Sequence, residues 1–313
     1  MLEYEILRGE EFLDMLVQLV DSARRRVYIA TYIATLTPWT EEVYYAAVRR
    51  LRAGVDVRFL LDGVSTEANR YNQSSTEFLR SLGVPVVRTD RFMHIKLYIV
   101  DNNVIVGSHN LAASRDRERY EVSVMFGSKR IASRLSSFFL SIYGGGNPNL
   151  SIDRDVLEDG TYYEIISNHR ILDDIYEKTM YGSRRVKILM YIATLSKATR
   201  KYYRLLKNKR NEGIDVAVVL DGTFKVSRHY NTKVYSYLKS LGLDKVVLTS
   251  RHTHAKVVVI DDYTMIGSHN LTSSSLAGRM ELAVVLRNSN LSNSMDYMVE
   301  DILAREQGVG EPS

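Results

Sequence analysis

The sequence predicts an α/β fold built as two homologous α/β sandwich domains, each around a mixed sheet. Two observations predict it. Runs rich in β-branched and aromatic residues alternate with runs at helical spacing along the chain. The landmarks of the first half also return 159 or 160 positions later: Tyr32-Ile33-Ala34-Thr35 as Tyr191-Ile192-Ala193-Thr194, Leu61-Asp62-Gly63 as Leu220-Asp221-Gly222, and Ser81-Leu82-Gly83 as Ser240-Leu241-Gly242. A repeat this long is a duplicated domain rather than a solenoid unit. The expected domains are residues 1–146 and 147–313, divided at Gly144-Gly145-Gly146-Asn147-Pro148.

Taken in order, residues 11–20 place apolar side chains at helical spacing, and Val27 to Thr35 reads as a strand. Thr37-Pro38 is an N-cap followed by proline at the first helical position, opening a helix through Arg52 that Gly54 ends. Val55 to Gly63 is a short buried strand, and Ser74 to Leu82 a helix stopped by Gly83. Asn72 and its repeat Asn231 stand where a helix N-cap is wanted. Val84 to Asp90 is a strand, Val122 to Phe126 another, and Ile131 to Tyr143 a helix.

With 313 residues and 45% apolar content, the chain has material for two cores. No stretch approaches the roughly 18 uninterrupted apolar residues of a membrane span, and the start, MLEYEILRGEEF, is unlike a signal peptide, so a cytoplasmic protein is expected. The absence of cysteine excludes disulfides and thiolate metal sites. A net charge of +5 leans toward a polyanionic partner, nucleic acid or acidic lipid.

The chemistry concentrates in His94 to Glu121, which returns as His254 to Glu281 with eleven of twenty-eight positions identical. His94, Lys96 and Tyr98 alternate with Ile95, Leu97 and Ile99, so His94 and Lys96 share a strand face. Asp101 lies out of register with that face and opens the turn Asp101-Asn102-Asn103, which makes Asp101 and Asp261 structural. The returning strand ends in Gly107-Ser108-His109-Asn110, with Ser108 and Asn110 on one face. Each hairpin therefore brings an imidazole, an ammonium, a hydroxyl and a carboxamide toward one spot, a set suited to a phosphoryl group.

The pattern H-x-K-x4-D-x5-G-S-x-N, present twice, resembles the signature of the phospholipase D superfamily, and the resemblance covers nearly the whole chain. It implies two halves packed about a pseudo-twofold axis with both His-Lys faces meeting at the seam. It also implies a phosphohistidine intermediate. No cofactor or metal is expected, because Lys96, Lys256, Asn110 and Asn270 supply the charge stabilisation that a divalent ion gives elsewhere. His94 is then the expected nucleophile and His254 the general acid. Glu121 and Glu281 hold the far ring nitrogens, Lys96, Lys256, Asn110 and Asn270 hold the non-bridging oxygens, and Ser108 and Ser268 stand near them.

Arg91 and Arg251 each precede a motif histidine by three residues and are candidates for a flanking phosphate. His109 and His269 point away from the site in a regular strand and read as packing residues, and Lys256 beside His252-Thr253-His254 argues against a metal there. Lys197, Arg200, Lys201, Arg204, Lys207, Lys209 and Arg210 crowd one helix, as a solvated face or a nucleic-acid stripe. Lipid-synthesising relatives usually continue Asn-Leu-Asp, whereas this chain has Asn110-Leu111-Ala112 and Asn270-Leu271-Thr272, and GSHNLTSSSLAGRME looks more like nuclease-type members. It departs from those at Arg279, where an Asn commonly stands. The expected activity is thus a metal-independent nuclease on DNA or RNA, with a phospholipase D or phosphatidyltransferase acting on phospholipid as the alternative.

Overall fold

A computed structural model describes residues 4–9, 11–112, 119–146, 153–273 and 279–308. The expected boundary after Gly146 abuts residues 147–152, which lie outside that set. The first half forms strands β1 (Tyr4–Arg8), β2 (Arg26–Thr31), β3 (Asp56–Asp62), β4 (Val86–Thr89), β5 (Lys96–Val100), β6 (Asn103–Gly107) and β7 (Val122–Gly127). They lie in the order β1-β7-β6-β5-β2-β3-β4. The second half forms β8 (Asp153–Val156), β9 (Tyr162–Ser167), β10 (Arg185–Met190), β11 (Asp215–Asp221), β12 (Val246–Thr249), β13 (Lys256–Ile260), β14 (Tyr263–Gly267) and β15 (Leu282–Arg287), in the order β12-β11-β10-β13-β14-β15-β9-β8. Read from the other end this is the first order with β8 added. Both sheets are mixed: β2, β3 and β4 run parallel, as do β10, β11 and β12, and the remaining pairs are antiparallel.

The helices are α1 (Glu11–Ser22), α2 (Pro38–Arg52), α3 (Thr66–Ser81), α4 (Lys129–Tyr143), α5 (Arg170–Tyr181), α6 (Lys197–Asn211), α7 (Lys225–Ser240) and α8 (Ser289–Gly308). Phe12 and Leu16 of α1 and Val43 of α2 close one face of the first sheet, and Ile175 of α5 and Leu206 of α6 close one face of the second. The other faces share a single core in which Leu97 and Val106 pack with Val257 and Leu282, together with α4 and α8. The two halves are therefore joined through apolar burial, the main driving force for such an association.

Helix α2 starts as expected, with Thr37 and Thr40 making a reciprocal capping box, a feature worth about 1 kcal/mol. Helix α3 corrects the sequence reading. It starts at Thr66, capped by the Ser65 side chain, so Asn72 lies inside the helix, as Asn231 does inside α7. Both are fully buried. Asn72 accepts from Ala34 N (2.7 Å) and donates to Tyr32 O and Asp62 O (both 2.9 Å), and Asn231 repeats these contacts with Ala193, Tyr191 and Asp221. A carboxamide that satisfies three backbone groups on two strand ends is a tie between them, not a cap.

Asp101 and Asp261 sit at φ 53° and 50° in the turns between β5 and β6 and between β13 and β14. The Asp101 carboxylate accepts from the N–H groups of Arg24, Arg25 and Arg26 at 2.9, 2.8 and 3.0 Å, and Asp261 does the same for Ser183, Arg184 and Arg185. Their work is to tie the hairpin to the entry of β2 or β10.

Candidate active site

Each motif histidine lies just before a strand rather than on it, held there by one contact from its own half and one from the opposite half. Asp62 Oδ1 accepts from Met93 N at 2.7 Å, and His94 N donates to Met280 O at 2.9 Å. In the second half Asp221 Oδ1 accepts from Thr253 N at 2.8 Å, and His254 N donates to Tyr120 O at 2.9 Å. Isolated parallel bridges, Met93 with Met280 and Tyr120 with Thr253, stitch the seam twice. These reciprocal contacts make the relation between the halves a pseudo-twofold.

The bridges carry the glutamates across. His94 Nδ1 lies 3.0 Å from Glu281 Oε2, and His254 Nδ1 lies 2.5 Å from Glu121 Oε1. With Nδ1–H donated to a carboxylate, Nε2 is left with a lone pair for chemistry. Lys96 Nζ donates to its own His94 O at 2.7 Å and Lys256 Nζ to His254 O at 2.5 Å, and both ammonium groups are fully buried. Tyr32 lies edge-on to His94 and Tyr191 to His254, each with centroids 4.8 Å apart, and the same rings lie 5.1 and 5.0 Å from Lys96 and Lys256.

Four cation-capable groups share the site with two carboxylates, Glu121 and Glu281, so not all four can be charged. Burial, only partly offset by Glu281, pushes His94 down to about 4, and burial pushes Lys96 down to about 7. His254 is lowered by burial and then by Lys256 and Lys96, and Lys256 by burial and then by Lys96. Burial pushes Glu281 up, but His94 and Lys96 outweigh it and hold it below its ordinary value. The site is built to gain charge when an anion arrives.

His94, His254, Asn110 and Asn270 line one cleft of about 640 Å³. The Asn110 and Asn270 carbonyl oxygens accept from Ile33 N and Ile192 N, both at 3.2 Å, which leaves their amide N–H groups for a ligand. Ser108 and Ser268 do not line it and are fully buried behind it. Ser108 Oγ accepts from Val122 N (3.0 Å), and Ser268 Oγ accepts from Leu282 N (3.0 Å) while donating to Glu281 Oε2. They position strand and carboxylate, which corrects their expected place beside the substrate. The preceding Gly107 and Gly267 are required because a Cβ there would collide with Ser123 or Ala283.

Arg91 is exposed and does not line the cleft, whereas Arg251 lies over Tyr120 at 5.1 Å and lines a neighbouring pocket. His109 stacks on Phe12 at 4.6 Å and reaches Ser123 Oγ at 2.7 Å, and His269 is buried nearby in its own half. His252 reaches Asp221 Oδ1 and Thr223 Oγ1, both at 3.2 Å. Along α6, Arg200 and Lys201 lie over Tyr237 and Tyr176 at 4.9 and 4.4 Å, and Lys209 and Arg210 pair with Glu212 and Asp244 at 3.0 and 3.7 Å. Much of the basic run is thus engaged within the protein.

Sequence reasoning missed Tyr32, Tyr191, Asp62 and Asp221 as site-forming residues, although each belongs to a segment repeated in both halves. It also missed the difference between the cleft walls. The second half contributes Leu195, Phe224, Val226 and Tyr230, the last three 48, 58 and 43% exposed. At the positions matching Phe224 and Val226 the first half has Ser65 and Glu67, both near the Tyr32 hydroxyl, at 2.7 and 3.3 Å.

Residues 16–143 and 177–303 match the family model described as cardiolipin synthase, PLD-like domain. Cardiolipin synthase B of Escherichia coli O6:H1 is 21% identical across 95% of this chain and 79% of its own length. Cardiolipin synthase 1 of Bacillus anthracis is also 21% identical across 95% of this chain, which spans 65% of that protein. The crystal structure of phosphatidylserine synthase from Haemophilus influenzae matches with a TM-score of 0.74, covering 97% of this chain and 86% of that one, at 14% identity. At that identity the likeness is one of fold.

Proposed function

The chain belongs to the phospholipase D-like family, whose chemistry is that of the phosphodiester, and from this premise we propose that it transfers phosphatidyl groups between alcohols on phospholipid. The observation that carries the choice is the exposed apolar wall of the cleft, Phe224, Val226 and Tyr230. Apolar surface beside polar catalytic groups marks a site for an apolar ligand part, and an acyl-bearing substrate would cover it. The relatives named as cardiolipin synthases support the same choice. The lipid alternative is therefore better supported than the nuclease expected from the residues after each Asn. Among the described residues no helix is long and apolar enough to cross a membrane.

In the proposed reaction one histidine Nε2 attacks phosphorus and forms a P–N bond. The headgroup P–O bond breaks in line, and the second histidine protonates the departing oxygen. That histidine then takes the proton of an acceptor alcohol, whose oxygen attacks phosphorus and releases the first histidine. Lys96, Lys256 and the amides of Asn110 and Asn270 stabilise the charge on the non-bridging oxygens. His94 as the nucleophile and His254 as the acid remain the assignment proposed.

The test is incubation with labelled phosphatidylglycerol in mixed micelles, with and without added alcohol, beside labelled single- and double-stranded DNA and RNA. Transfer or hydrolysis of the lipid is expected. Cleavage of nucleic acid with the lipid left intact would overturn the proposal.

A further inference from the structure

The cleft opens beside a helical face that the first half does not repeat. Its lining includes Ser196 and Phe224, the residues at which α6 and α7 begin. The two helices meet through Tyr203 and Tyr237, whose ring centroids are 6.3 Å apart. Together they carry eleven Lys and Arg and no Asp or Glu, whereas the matching α2 and α3 carry five Arg against four Glu. We infer that this α6–α7 face docks the protein on the surface of an anionic bilayer, with the mouth of the cleft turned toward the lipid. The choice of a lipid surface rests on the phosphatidyl-transfer reading, but the docking itself is testable without turnover.

On α7, Val226, Tyr230 and Lys233 follow at i, i+4 and i+7, so they form one stripe, and all three are exposed. Tyr237, the next residue of that stripe, lies under Arg200 of α6 at 4.9 Å. Arg200 itself follows Lys197 and precedes Arg204 on one exposed face of α6, so the two helices present a continuous surface. Contact with a ring leaves the guanidinium charged. Cations alone would suit any polyanion. Here, however, they flank Phe224 and Val226, which are 48 and 58% exposed. An apolar centre within a basic border suits the boundary between headgroups and acyl chains, where the apolar groups are buried and Lys and Arg meet anionic headgroups. At the positions of Val226 and Lys233 the first half has Glu67 and Ser74, which offer an anionic surface neither contact. Docked in this way, the acyl part of a lipid passes along Val226 and Phe224 into the cleft they line.

Arg228 and Lys233 are exposed and do not line the cleft, so Arg228→Gln/Lys233→Gln leaves the catalytic groups in place. Lys197→Gln/Arg204→Gln on α6 is a second pair with the same expectation, and Arg70→Gln on α3 is the control from the other half. Flotation with vesicles of phosphatidylglycerol and phosphatidylcholine should show wild-type binding that weakens with added salt and is much weaker on phosphatidylcholine alone. Each double variant should bind the mixed vesicles about thirtyfold more weakly, roughly fivefold for each cation lost, with Arg70→Gln unchanged. Thermal melts and cleavage of bis-p-nitrophenyl phosphate, which meets no bilayer, should match the wild type in all of them. Equal vesicle binding by wild type and both double variants, or no preference for the anionic vesicles, overturns the docking face. So does loss of binding to labelled DNA or RNA with vesicle affinity unchanged, which gives the face to nucleic acid. A wild type that docks through this face and transfers no phosphatidyl group upholds the docking and removes the transferase reading.

Discussion

Glu281 holds His94 across 187 residues of chain, and Glu121 holds His254 across 133, so each half supplies the carboxylate for the other half's imidazole. Glu281→Gln should therefore behave as a lesion of His94. Losing the carboxylate that fixes a catalytic histidine costs about 10⁴ in kcat in a hydrolase triad, and a loss of that order is expected here. The double variant His94→Ala/Glu281→Gln should be little worse than His94→Ala, whereas Glu121→Gln should couple in the same way to His254→Ala. Additive losses within the pair His94 and Glu281 would refute the exchange.

Activity should persist in excess EDTA. The charge that a divalent ion supplies elsewhere is available from Lys96 and Lys256, which are buried and do not themselves line the cleft, and from the amides of Asn110 and Asn270, which do. Complete loss on chelation, reversed by adding one metal, would require a different mechanism.

Lys96 is held down to about 7 by burial, and a bound phosphodiester raises it again by placing an anion beside it. Below pH 7 the ammonium is already charged, and above it binding must recruit the proton. Affinity for dimethyl phosphate, which does not titrate near neutrality, should thus be full below pH 7 and fall as pH rises beyond it. Calorimetry at pH 8 in two buffers of different ionisation heat should show proton uptake, and Lys96→Met should reduce it. Zero uptake in the wild type would contradict this electrostatic picture.

Asp101→Asn should lower stability by about 1–3 kcal/mol, through weakening of its contacts to three backbone N–H groups, while kcat stays near normal. Asn72→Ala should cost at least as much, because it strands Ala34 N, Tyr32 O and Asp62 O without water. Thermal melts and kcat measured on the same preparations check both. An Asp101→Asn protein that melts normally but is inactive would give that residue a chemical role.

The residues that carry the chemistry were legible because they are local: His94, Lys96 and Asn110 fall within one hairpin, and the duplication marks them twice. The identity of each glutamate's partner was not, since spacing along the chain does not say which half a carboxylate faces. Asn72 was misread for a related reason. Next to a short buried strand an Asn has a cheap local explanation as a cap, and only the packed structure shows it spanning two strand ends. Strands β1, β8 and β9 escaped notice because they lie toward one sheet edge, and β1 in particular alternates partly exposed residues without an apolar run. Ser108 and Ser268 share strand parity with the Asn two residues on, but the chain leaves the strand after Gly107 and Gly267, where parity no longer fixes direction.

Because both copies lie on one chain, the two walls of the cleft are free to drift apart. A homodimer with the same seam would show any substitution on both sides of its symmetry axis, so a change that favoured one substrate fragment would also alter the binding place of the other. Here Phe224 and Val226 line one cleft together with Ser65 and Glu67, their counterparts in the other half, which two identical subunits could not present. Tethering also makes the meeting of the halves intramolecular, with an effective concentration in the millimolar range for short connections, so dilution leaves the catalytic pair assembled. Fusion thus lets two matching histidines stand between walls that differ, with phenylalanine and valine on one bank where the other has serine and glutamate.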